Sequence, residues 1–71
     1  MSAAWYIAKA LLTCAREHPE ARGLAHRTLA RALPTYVLRE IRSRMGSSGI
    51  AVELDAVLAG IELNASLESG T

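Results

Sequence analysis

Cysteine occurs once, proline twice and phenylalanine never in these 71 residues, and Trp5, Tyr6 and Tyr36 are the only aromatic side chains. A lone Cys14 closes no internal disulfide and belongs to no CxxC pair, which excludes a disulfide-stapled secreted scaffold and a zinc knuckle and points to a reducing, cytoplasmic setting. No apolar run approaches the ~20 residues that cross a bilayer; the longest, from Ala10 to Ala15, is bracketed by Lys9 and Arg16. No positive residue precedes the first apolar segment and no small-residue cleavage site follows it, so the start reads as mature chain and not as a signal peptide. Glycines 23, 46, 49, 60 and 70 form neither GxGxxG nor GxxxxGKS/T, so a nucleotide-binding loop is not expected. A chain this small buries only roughly 60% of the surface its unfolded form exposes, and without a disulfide or metal a partner subunit is the expected source of further stability.

What remains is rich in alanine and leucine, with seven arginines to one lysine, a bias that suits helices and a bacterial or phage source. Residues 2 to 17 place Ala4, Ile7, Ala8, Leu11, Cys14 and Ala15 on one stripe, with Lys9, Thr13 and Arg16 opposite and Ser2 as N-cap. His18-Pro19 closes this helix, and Pro19 opens a second that runs to Ala32 with Ala21, Leu24, Ala25, Thr28, Leu29 and Ala32 inward and Arg27 and Arg31 outward. After Pro34, Thr35 is expected to cap a third helix, Tyr36 to Met45, that buries Val37, Leu38, Ile41 and Met45. Gly46-Ser47-Ser48-Gly49 is the only low-complexity turn.

That turn divides unlike halves. Residues 1–45 hold eight basic groups against three acids, whereas residues 46–71 hold Glu53, Asp55, Glu62 and Glu68 and no base. The two halves could join subunits head to tail or pair within one subunit. The final segment, Ile50 to Leu67, carries two apolar faces: Ile50, Leu54, Val57, Leu58 and Ile61 on one, Val52, Ala56, Leu63 and Leu67 on the other. As a helix it needs only one such face for its own bundle, so the second is expected to meet another copy. The alternation Ile61-Glu62-Leu63-Asn64-Ala65-Ser66-Leu67-Glu68 also fits a strand, although Leu-Asp-Ala-Val-Leu-Ala at 54–59 favours helix.

Chemistry-bearing clusters are sparse. Cys14 and His18 are four residues apart and could share a metal with His26, but no fourth ligand is evident. The expected roles are a buried thiol for Cys14, a helix-end position for His18 and a solvated basic face for His26. Glu53, Asp55 and Glu62 lack His or Cys companions and are expected to keep their helix soluble. No catalytic residue, metal, cofactor or small-molecule substrate is therefore expected.

Leu29-Ala30-Arg31-Ala32-Leu33 resembles the first-helix segment of helix-turn-helix regulators, and Val37-Leu38-Arg39-Glu40-Ile41 resembles part of their recognition helix. The resemblance implies a dimeric DNA-binding regulator acting through residues 24–45, although Pro34-Thr35 leaves little room for the turn. The Leu33-Pro34 step followed by helix, glycine turn and helix also looks like the ribbon-helix-helix plan, whose strand would precede Pro34. The reading adopted is an all-α bundle of three to four short helices over residues 1–68, with a frayed tail at 69–71, completed by homodimerisation through Val52, Ala56, Leu63 and Leu67. Tyr36, Arg39, Glu40, Arg42, Ser43 and Arg44 are expected to present a surface to another protein, exposed Tyr and Arg being the side chains that anchor such contacts.

Overall fold

The computed structural model describes residues 2–69, and they form four α-helices with no strand among them. Helix α1 spans Ala3–Glu17, a 3₁₀ turn Pro19–Ala21 leads into α2, Arg22–Ala32, then α3 covers Thr35–Met45 and α4 Gly49–Ser69. The breaks fall at the prolines for the reasons the sequence supplies. His18 leaves the helical region (φ −128°, ψ 81°) while its N–H still bonds the Cys14 carbonyl at 2.9 Å, and Pro19 starts the 3₁₀ turn, so α2 proper begins three residues later than expected. Leu33 and Pro34 are both extended, and the Pro34 carbonyl accepts from Val37 and Leu38. Pro34 thus occupies the cap position, and Thr35 is the first helical residue, not the cap. Ser2 stands at the N-cap of α1 with extended backbone but makes no side-chain capping bond.

Helix α4 packs on all three other helices, and α1 packs most extensively on α2. The core gathers Ala8 and Leu12 from α1, Leu29 from α2, Leu38 and Ile41 from α3, and Leu54 and Val57 from α4. The apolar stripes expected for α1 and α2 are rotated relative to the faces they bury. In α1, Leu12 is fully buried whereas Ile7 is exposed; in α2, Leu24, Thr28 and Ala32 are exposed, and His26 and Ala30 turn inward with Ala25 and Leu29. An amphipathic stripe fixes which side of a helix faces the bundle, but the flank that is covered depends on where the other helices lie, and here they lie toward Leu12 and His26. For α3 the expected inward set holds: Leu38 and Ile41 are buried, Val37 and Met45 partly so.

The strand expected as an alternative at 61–68 is absent, because α4 continues without interruption to Ser69, whose Oγ donates to the Ala65 carbonyl at 2.8 Å. Ser69, placed in a frayed tail by the sequence, is therefore helical; Gly70 and Thr71 lie outside the described residues. The stretch before Pro34, where the ribbon-helix-helix plan needs its strand, is α2. Helices α2 and α3, which flank Leu33-Pro34, each pack on α4 more extensively than on one another. Among the described residues no helix is long and apolar enough to cross a membrane.

Candidate partner-binding site

The six residues expected to form a binding surface divide between two directions. Arg39 and Arg42 turn toward α4. Arg42 grips Asp55 with two bonds, Nε to Oδ1 at 2.7 Å and Nη2 to Oδ2 at 3.3 Å, while its Nη1 donates to the Gly46 carbonyl at 3.1 Å. Its bonds to Asp55 hold the guanidinium above its ordinary value. Arg39 Nη2 reaches Glu62 at 3.2 Å. Ser43 spends its hydroxyl on its own helix, donating to the Glu40 carbonyl at 2.7 Å.

Tyr36, Glu40 and Arg44 form the other set, one row along α3. Arg44 donates to Glu40 through Nε at 3.1 Å and lies 2.9 Å away through Nη2. Tyr36 is 75% exposed, the most open of the large apolar side chains among the described residues. This row walls an open groove of about 940 Å³ between the start of α1 and α3, lined by Trp5, Val37 and Ile41 with Ser2 at its end. Trp5, Val37 and Ile41 belong to the core or its border, so the bottom of the groove is held in place by the same packing that holds the fold. The arrangement offers an apolar, partly aromatic slot with one cation and one carboxylate on its wall, the make-up of a side-chain anchor pocket. The sequence missed Trp5 as a member because the groove exists only where α1 crosses α3, more than 30 residues further along the chain.

A second polar cluster lies between α2 and α4. Glu53, expected on a solvated face, is buried with its side chain 12% exposed, and its Oε1 accepts from Arg22 Nε at 2.9 Å and His26 Nε2 at 2.8 Å. Because an ionised carboxylate only accepts, His26 carries its proton on Nε2 here. Burial pushes the Glu53 carboxyl up, but the bonds from His26 and Arg22 and the charge of Arg22 pull it further down, so it ionises below its ordinary value. His26 is thus an internal tie and not part of a solvated face. Cys14, His18 and His26 are not gathered: His18 Nδ1 lies 3.5 Å from Glu20, and among the described residues no three His, Cys, Asp or Glu side chains come together as a metal site.

The expected dimer residues Val52, Leu63 and Leu67 are 65%, 60% and 62% exposed on the outer side of α4, with Ala56 half-buried beside α2. No protein-family model, curated protein or solved structure matches this chain.

Proposed function

We propose that the protein works by binding and not by catalysis: a small regulatory or inhibitory protein whose α3 row, Tyr36, Glu40 and Arg44, and the groove beside it receive a side chain or helix of another protein, with two copies of the chain meeting along α4. The observation that carries this reading is the pairing of an exposed Tyr36 with an apolar groove floored by Trp5, Val37 and Ile41. Arg39 and Arg42, which the sequence placed on the same surface, support it indirectly by bracing α3 against α4, so that the row is presented on a fixed helix.

Trp5 is the chain's single tryptophan and lines the groove, so it reports occupancy directly. Peptides selected from a random library against the immobilised protein are expected to shift Trp5 emission saturably. Tyr36→Ala should weaken them by about tenfold or more, a loss of at least ~1.4 kcal/mol that fits an anchor residue, with the helical circular dichroism unchanged. Selected peptides that leave Trp5 emission and the Tyr36→Ala affinity untouched would remove the groove from the proposal. The association of copies is read separately, by sedimentation: Leu63→Glu should dissociate it, because a charge would have to be desolvated against apolar surface.

A further inference from the structure

The outer side of α4 has a spacing that the fold of one chain does not use. Val52, Ala56, Ala59 and Leu63 follow one another at intervals of four, three and four residues, and Leu67 adds another four. The first four follow the spacing of a coiled-coil seam, about 16 Å long at 1.5 Å per residue, and Leu67, four residues on where the heptad asks for three, falls to one side of it. Its ends are large and exposed and its middle is small. A side chain added at Gly60, next to the seam, would meet nothing within 4 Å, so a second helix can come close at the centre.

The flanks of this seam differ: one carries an arginine without an ion pair among the described residues, the other two exposed carboxylates that each already hold one arginine of α3. On one side α2 contributes Arg27, which lines a shallow recess with Ala56 and Gly60, lays its guanidinium back toward Gly23, and has no ion pair among the described residues. On the other side stand Asp55 and Glu62, about 100° or more around the helix from Gly60, held by Arg42 and Arg39 of α3. Two ways of placing an identical helix on the seam have two-fold symmetry. A two-fold axis perpendicular to α4 makes the helices antiparallel and brings like flanks together, so that each Arg27 faces the other Arg27 and finds no carboxylate. An axis parallel to α4 makes them run side by side in the same direction and brings each Arg27 flank onto the carboxylate flank of the other copy, at nearly the same height.

We propose that two copies of this chain pair in parallel along the Val52–Ala56–Ala59–Leu63 seam, with Arg27 of each copy reaching the carboxylate flank of the other, where Glu62 shares only one oxygen with Arg39. This rests on the reading that copies associate through α4, and it adds the direction of the helices and the role of Arg27. A surface that complements itself in one orientation only also selects against the wrong pairing.

The test uses the full chain in a Cys14→Ser background with Val52→Cys or Leu63→Cys added singly. A parallel two-fold sets each seam position beside its own copy at both ends, within disulfide reach, so both variants are expected to oxidise to covalent dimers. An antiparallel pair can do this only near its axis, and therefore at one of these positions at most. Sedimentation equilibrium is expected to give twice 7.6 kDa. Arg27→Glu is expected to raise the dimer dissociation constant by about tenfold with unchanged circular dichroism. A monomer at all accessible concentrations would overturn the association and this arrangement together. A dimer in which only one cysteine variant, or neither, links to itself would leave the association standing and overturn the parallel direction. A dimer indifferent to Arg27→Glu would overturn the cross-copy ion pair.

Discussion

Replacing Glu53 by alanine would leave the Arg22 guanidinium and the His26 ring without the acceptor they share, in a site only 12% open on the carboxylate side. Arg22 is half-exposed and can turn to water, whereas His26 sits deeper, so the expected loss is about 1–3 kcal/mol, read from the urea midpoint. The acid side of the stability profile follows from the same group. The folded-state value of Glu53 lies below the unfolded one, so its contribution is complete above the unfolded carboxylate range of about 4.3 and fades as pH falls through the lower folded value. The advantage of the native chain over Glu53→Gln should therefore shrink as pH falls below about 4. An advantage that persists unchanged at pH 2 would show that the carboxylate charge contributes nothing. This cluster was not legible beforehand, because Glu53 is 27 and 31 residues from its partners and sits among exposed acids on the same helix. Periodicity reports neighbours three or four residues away, and only the crossing of α2 and α4 brings these three side chains together.

The helices themselves were far more legible than their faces. Proline, glycine and the 3.6-residue period placed the breaks at His18-Pro19, at Pro34 and at Gly46–Gly49, because those signals act through local backbone geometry. Burial of Leu12 and His26 in place of Ile7 and Leu24 was not legible, since each pair lies on the border of a stripe and the choice between borders belongs to the packing. Gly46 shows how strict the local signals are. It ends α3 at φ 67°, ψ −137°, a conformation that residues with a Cβ rarely adopt, although nothing lies within 4 Å of the place a Cβ would occupy. Gly46→Ala should cost about 1–2 kcal/mol through backbone strain alone. Gly60→Ala, equally unobstructed but inside α4 with ordinary helical φ, should instead stabilise dilute protein by about 0.5–1 kcal/mol. Equal effects of the two substitutions in chemical denaturation would show that the turn does not depend on that backbone conformation.

Across the whole molecule, the division into a basic first part and an acidic last part resolves mainly within one chain. Glu53, Asp55 and Glu62 of α4 are each matched by an arginine of α2 or α3. What this leaves without ion pairs among the described residues is Lys9, Arg16, Arg27 and Arg31, all on α1 and α2, with the Arg16 guanidinium lying against Gly49 at the start of α4. The excess positive charge is thus on the α1–α2 side and not on α3, where a helix-turn-helix would present it. A polyanion such as duplex DNA should accordingly be held weakly at low salt, with the logarithm of the binding constant falling against the logarithm of salt at a slope no steeper than about −4, the value for four phosphate contacts. Arg31→Ala should lower that slope by about one unit, whereas Arg39→Ala and Arg42→Ala should leave it unchanged, because those two side chains are already occupied by Glu62 and Asp55. Tight, sequence-dependent binding lost on replacing Arg39 or Arg42 would reverse the assignment: α3 would then have to release its ion pairs with α4 to read DNA, and the groove beside Tyr36 would no longer be the leading candidate for the working surface.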